Sequence, residues 1–112
     1  MKTGSRVFVY GMGVVDRGIM EAIVENGRFE LAGCSDQGWS AHTEGITVAG
    51  HKVCPVYAPK KIMEYDFDYV VIGVSRFEFR QQITEKLLSL GVPEEKIAKI
   101  DQSLLIEANL PF

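Results

Sequence analysis

Residues 6–18 read R-V-F-V-Y-G-M-G-V-V-D-R-G, and this stretch decides the fold. Its first five residues are a β-branched and aromatic run that stops at Gly11, which is typical of a buried strand. The apolar residues of the following segment, 17–25, share one helical face, and Gly27 is placed to end that helix. A strand, a glycine-containing turn and a helix in this order predict the opening unit of a parallel α/β sheet.

The rest of the chain alternates strands and helices in the same way. Further strands are predicted at 29–35, 69–74 and 97–100, and further helices at 58–65, 77–90 and 103–108. Between them, 46–48 and 52–54 predict either a small hairpin or an extended crossing segment. Parallel strands joined by helices use right-handed crossovers. We therefore expect one three-layer α/β/α domain over residues 1–112, with a five-stranded, mostly parallel sheet in the order 3-2-1-4-5.

Composition and charge narrow the class of protein. The chain has 112 residues, of which 46% are hydrophobic and 24% charged, as in an ordinary soluble domain. Its net charge is −3 and its basic residues are scattered, which argues against nucleic acid as a partner. The apolar run at 69–74 is far shorter than the roughly 20 residues of a membrane span, and the start of the chain has no signal-peptide core. We expect a cytoplasmic protein without membrane insertion.

The two cysteines, Cys34 and Cys54, form no C-x-x-C motif. Neither a zinc site nor a redox motif is supported by this spacing, so no metal is predicted. A disulfide remains open, but free cysteine is among the most buried residue types. Two buried thiols are the favoured interpretation.

The turn Gly11-Met12-Gly13-Val14 is the candidate ligand site. In an open parallel sheet, ligands bind at the carboxyl ends of the strands, where the first strand-to-helix turn lies. Gly11 permits a tight reversal, and Gly13 lets the backbone approach a pyrophosphate. The helix N-terminus adds free N–H groups and about half a positive charge. We therefore predict that these four residues contact a nucleotide.

One position departs from the dinucleotide pattern G-x-G-x-x-G, because Asp16 stands where the third glycine is expected. An aspartate is a good helix N-cap, so it could bond the amides that a phosphate needs, and its charge would repel the phosphate. The neighbouring Arg17 could offset that charge or pair with the phosphate itself. The alternative, that the turn is structural and holds no ligand, therefore stays open.

Three further residues are candidates at the ends of two other strands. Asp36 follows the second strand, 25 positions after Gly11, where a carboxylate can accept hydrogen bonds from ribose hydroxyls and favour NAD over NADP. It could equally be a solvated loop residue or a turn initiator. Gly73 and Ser75 close the fourth strand beside the same crevice. They could line the crevice or simply pack in the core.

Several segments together resemble one family of domains. They are V-F-V-Y-G-M-G-V at 7–14, C-S-D at 34–36, G-I-T-V-A-G-H-K-V at 45–53, Y-D-F-D-Y-V-V-I-G-V-S at 65–75 and L-L-S-L-G-V-P-E-E-K-I at 87–97. The chain resembles the Rossmann-like domain that binds NAD(P) or a nucleotide sugar at the front of bacterial polysaccharide-biosynthesis proteins of the nucleotide-sugar epimerase/dehydratase type. The resemblance implies NAD, NADP or a UDP-sugar as ligand, contacted by Gly11, Gly13 and Asp36 with Ser75 nearby.

No catalytic residue is predicted. The sequence has no G-K-[ST] loop, no H-E-x-x-H, no G-x-S-x-G and no Tyr-x-x-x-Lys pair placed for hydride chemistry. We expect a nucleotide-binding module without independent catalysis, linked to polysaccharide or sugar-nucleotide biosynthesis. The alternative is an interaction or oligomerisation domain on the same scaffold without a small ligand, and an enzyme would need a partner chain. Two assemblies stay open, a homodimer and association with a larger catalytic chain.

Overall fold

Six strands and two α-helices follow one another in residues 3–73 and 77–99, the parts of the chain that the computed structural model describes. The strands are β1 (Arg6–Tyr10), β2 (Glu30–Ser35), β3 (Ile46–Val48), β4 (Lys52–Cys54), β5 (Tyr69–Ile72) and β6 (Ile97–Lys99). The helices are α1 (Val14–Asn26) and α2 (Phe77–Ser89), and a 3₁₀ helix spans Pro59–Glu64. The helix predicted at 103–108 and the predicted site residue Ser75 lie outside the described residues.

The main sheet is parallel, and β1 lies inside it. Its strand order is β2-β1-β5-β6, with β1 paired to β2 on one side and to β5 on the other. Val7, Phe8 and Val9 of β1 are fully buried, because both faces of a parallel sheet are covered by connecting segments. The predicted α/β class with a mostly parallel sheet is confirmed.

Side chains of β1 alternate between two apolar clusters. Val7 and Val9 pack with residues of α1, whereas Phe8 and Tyr10 pack on the opposite face with Leu87 of α2. This alternation follows from the two-residue period of a strand. The sheet is therefore the middle of three layers, and the turn between β1 and α1 lies at its carboxyl edge.

The predicted five-strand order is not exact, because the strand expected outside β2 is almost absent. Only one parallel bridge forms there, between Cys34 and Val56. The Cys34 N–H donates to the Pro55 carbonyl and the Tyr57 N–H donates to the Cys34 carbonyl, both at 2.9 Å. Pro55 has no N–H to donate, which limits pairing at this edge.

β3 and β4 pair with each other instead, as an antiparallel hairpin that forms a separate two-stranded sheet. The turn between them has positive φ at both central residues, 53° at Ala49 and 75° at Gly50. Turns of this kind match the twist of a hairpin. Of the two predicted alternatives, the hairpin is confirmed.

Both cysteine thiols are free and buried, as predicted. Cys34 and Cys54 hydrogen-bond to each other, and both thiols lie 3.7 Å from the Pro55 carbonyl oxygen. The hydrogen bond to Cys54, together with burial, holds the pKa of the Cys34 thiol above its usual range. The same hydrogen bond lowers the pKa of the Cys54 thiol, so burial is what limits the access of a reagent to Cys54.

We expect these thiols to react slowly in the native state. Modification by 5,5′-dithiobis(2-nitrobenzoate) should be at least about a hundredfold slower in buffer than in 6 M guanidinium chloride, because reaction requires local opening. The release of the coloured thiolate measures both rates. Equal rates in the two solutions would contradict the buried pair.

Candidate functional site

A cleft of about 430 Å³ lies at the carboxyl edge of the sheet, where β1 and β2 end. Four of the predicted site residues line it, namely Gly11, Met12, Gly13 and Asp36. The topology brings them together because parallel strands present their carboxyl ends on one side of the sheet. The cleft is within the usual size range of small-molecule sites.

Gly11 and Gly13 have different structural roles in the turn. Gly11 has φ +132°, and its N–H donates to the Ser35 carbonyl at 2.7 Å, which ties the end of β1 to β2. A Cβ at Gly11 would collide with the carboxylate of Asp16. Gly13 is the N-cap of α1 with an ordinary φ of −76°, and a Cβ there would meet only Asp16 Oδ2 at 3.5 Å. Gly11 is thus required by the backbone, whereas Gly13 leaves the cleft floor bare.

The carboxylate of Asp16 lies against the turn. Asp16 is only 5% exposed, and its Oδ2 accepts the Gly13 N–H at 3.2 Å. Its other oxygen, Oδ1, is buried without a hydrogen-bond partner among the described residues. The sequence suggested an N-cap, but Asp16 instead reaches back to the N-cap from the third position of the helix. One amide expected to serve a phosphate is therefore engaged by a neighbouring carboxylate.

Burial raises the pKa of Asp16 from 3.8 to about 6. The Gly13 N–H opposes this rise by stabilising the charged form, and the nearby Asp36 carboxylate adds to it. Asp16 therefore titrates close to neutral pH. At pH 7 most molecules carry a charge at this point of the cleft.

Three other predicted residues surround the turn in different ways. Arg17 donates from Nε to the Met12 carbonyl at 3.0 Å, so part of its guanidinium is tied to the turn. Val14 is the first residue of α1. Gly73 follows β5 and packs against Asp16, and a Cβ there would collide with Asp16 Oδ1. Gly73 thus makes room for the carboxylate of Asp16.

Asp36 combines two of the roles considered for it. Its Oδ1 accepts the Gly38 N–H at 2.6 Å, so it does initiate a turn after β2. It is only partly buried, and it also lines the cleft. A partly exposed carboxylate at this place can accept hydrogen bonds from a ligand hydroxyl.

The wall opposite the turn was missed by sequence reasoning. It consists of Gln82, Ile83 and Lys86 of α2, together with Gln37 from the loop after β2. Residues 82, 83 and 86 are neighbours on one helical face. Their spacing could have grouped them, but nothing in the sequence says which face of α2 overlooks the cleft.

Within residues 3–73 and 77–99, no three His, Cys, Asp or Glu side chains are grouped to hold a metal ion. No helix within the same ranges is long and apolar enough to cross a membrane.

Solved structures share this architecture at low sequence identity. UDP-D-quinovosamine 4-dehydrogenase from Vibrio fischeri is 21% identical with a TM-score of 0.60, over 96% of this chain and 87% of that one. RSP, a Rex-family repressor, is 13% identical with a TM-score of 0.60, over 96% and 57%. Apo scyllo-inositol dehydrogenase from Lactobacillus casei is 16% identical with a TM-score of 0.51, over 97% and 33%. The domain therefore has a Rossmann-like fold, and it spans only part of the last two chains.

The sequence matches one protein family over most of its length. No curated protein matches the chain. The family described as C2185-like, N-terminal, matches residues 3–98, which is most of the sequence. The chain belongs to the C2185-like, N-terminal family.

Proposed function

We propose that this domain is a nucleotide-binding module without catalysis of its own, and that its ligand lies in the cleft beyond β1. The observation that carries the proposal is the position of Gly13. This exposed, bare glycine lies at the N-terminus of a 13-residue helix, in the same cleft as the partly exposed Asp36. A helix N-terminus favours a phosphate, and a carboxylate at the end of the second strand suits ribose hydroxyls.

The ligand class that we propose is a nucleotide sugar such as a UDP-sugar, or NAD. The name of the Vibrio fischeri dehydrogenase, with which the chain shares its fold, supports a UDP-sugar. Asp36 favours NAD over NADP, because a carboxylate repels a 2′-phosphate. In this proposal the domain holds a substrate or regulates its use in sugar-nucleotide or polysaccharide biosynthesis. Its partner is a second copy of itself or a larger catalytic chain.

A second candidate function is an interaction or oligomerisation domain without a small ligand. The position of Asp16 favours it, because the carboxylate already accepts the Gly13 N–H and places negative charge where a phosphate would lie.

Thermal melting separates the two candidates. We expect the melting temperature to rise with at least one of millimolar NAD, NADP, UDP, UDP-glucose and coenzyme A. A ligand at 100 times its dissociation constant adds about 2.7 kcal/mol of stability, which corresponds to several degrees for a domain of this size. No rise with any of the five would favour the interaction domain and contradict nucleotide binding.

Gly13→Val tests the location of the site. The φ of −76° is accessible to valine, and the first side-chain atom meets Asp16 only at ordinary contact distance, so the domain should still fold. The added isopropyl group covers the cleft floor, so the ligand-induced rise in melting temperature should disappear. Glu21→Val, on an exposed position of the same helix, is the matched control. An undiminished rise in Gly13→Val would place the ligand elsewhere.

A further inference from the structure

A second hollow of about 440 Å³ continues the cleft on the far side of Lys86. Gln37 and Lys86 line both spaces and so form the junction between them. The far hollow is bordered by Trp39, Pro59 and Leu90, which offer apolar surface, with Lys60 also lining it. A ligand longer than one nucleotide can therefore extend past Lys86 from the first space into the second.

Lys86 supplies the positive charge that the other described lining residues of the cleft lack. Two carboxylates, Asp16 and Asp36, line the cleft, and Lys86 is the basic residue among its described lining residues. The ammonium of Lys86 makes no ion pair or hydrogen bond with the described residues. Arg17 is partly engaged by the Met12 carbonyl. Without Lys86, a phosphate in this cleft would face two carboxylates and a partly occupied helix N-terminus.

Resting on the nucleotide-binding function above, we propose that Lys86 binds the diphosphate of the ligand at the junction of the two hollows. The ligand then has one end in each hollow. Its class is a compound in which a diphosphate joins two bulky groups, such as a nucleotide sugar or a dinucleotide. One end contacts Asp36 in the first hollow, and the other end lies against Trp39 in the second.

Calorimetric titration of the Lys86→Met variant tests whether the ammonium of Lys86 binds the diphosphate. The ligands are UDP-glucose, NAD and the phosphate-free nucleosides contained in them, uridine and adenosine. One of the two diphosphate compounds is expected to bind the wild type. The affinity of the variant for that compound should be about tenfold lower, because a hydrogen bond to a charged group is lost. Neither nucleoside has a phosphate, so the affinity for the nucleoside contained in the bound compound should not change. Lys86→Arg should retain most of the affinity.

Lys61→Met is the matched control, because this lysine is exposed and lines neither hollow. It should leave every affinity unchanged. An equal loss of affinity for the matching nucleoside in Lys86→Met would show a structural role and overturn the inference. Unchanged binding of the diphosphate compound in that variant would overturn it as well, while leaving nucleotide binding intact. A wild-type protein that binds none of the ligands would overturn both proposals.

The second hollow has its own test. Trp39→Ala should lower the affinity for the diphosphate compound. It should leave the affinity for UMP unchanged, because a mononucleotide occupies the first hollow alone. Trp39 also packs against the core, so the melting temperature of the free variant must be measured alongside. A loss of UMP affinity equal to that of the diphosphate compound would contradict the two-ended ligand.

Discussion

Replacing Asp16 with asparagine is expected to stabilise the domain at pH 7 by up to about 3 kcal/mol. The carboxylate is buried, and one of its oxygens has no hydrogen-bond partner among the described residues. Its pKa is raised from 3.8 to about 6, and each unit corresponds to about 1.4 kcal/mol of cost for the charged form. Asparagine keeps an oxygen for the Gly13 N–H and removes the charge.

The pH dependence has a definite sign. The carboxyl becomes ionised around pH 3.8 in the unfolded state but only around pH 6 in the folded state. Between these values the folded state binds more protons. The free energy of unfolding should therefore fall as the pH rises from 4 to 6, and this part of the decline should be absent from Asp16→Asn.

Urea unfolding at pH 4, 5, 6 and 7 measures the difference between the two proteins. Glu21→Gln removes an exposed carboxylate from the same helix and is the control. The stability advantage of Asp16→Asn should grow across this range, whereas that of the control should stay small. Parallel pH profiles of the wild type and Asp16→Asn would contradict the buried charge. The same variant should bind phosphate-bearing ligands more tightly at pH 7, because a repelling charge is gone.

Gly11→Ala is expected to destabilise the domain by about 3 kcal/mol or more, whereas Gly13→Ala should cost less than about 1 kcal/mol. Gly11 has φ +132°, which an alanine rarely adopts, and its Cβ would collide with Asp16. Gly13 has an ordinary φ and a free position for a Cβ. The two changes are chemically identical and only two residues apart.

Urea unfolding at pH 7 compares the two alanine variants. Adding Asp16→Gly to Gly11→Ala should recover part of the loss, because the collision disappears while the backbone strain remains. Equal destabilisation at the two glycines would show that the turn has a different conformation.

The pattern of the sequence predicts much of the fold where local and tertiary signals agree. The bounds of β1, Arg6–Tyr10, follow from a continuous apolar run that ends at a glycine. The helix α1 begins at Val14, three residues earlier than the apolar periodicity indicates, because its first turn is stabilised by the Asp16 contact with Gly13. Periodicity reports the buried face of a helix and carries little information on its first turn.

Contacts between distant segments explain what the sequence could not predict. The place of the turn at the carboxyl edge follows from topology, so the grouping of Gly11 with Asp36 was predictable. The burial of Asp16 depends on Gly73, which is 57 positions away, and the role of Lys86 depends on the rotation of α2 about its axis. The missing fifth strand reflects pairing of β3 with β4 and the lack of an N–H at Pro55.

Nuclear magnetic resonance titration of the ¹⁵N-labelled domain tests nucleotide binding at the cleft most directly. On addition of UDP-glucose or NAD, saturable shifts are expected at the amides of Gly13, Asp36 and Lys86, with the outward-facing hairpin residue Thr47 unaffected. The absence of shifts at millimolar concentrations of both ligands, or shifts confined to residues remote from the cleft, would contradict a nucleotide site at the β1–α1 turn.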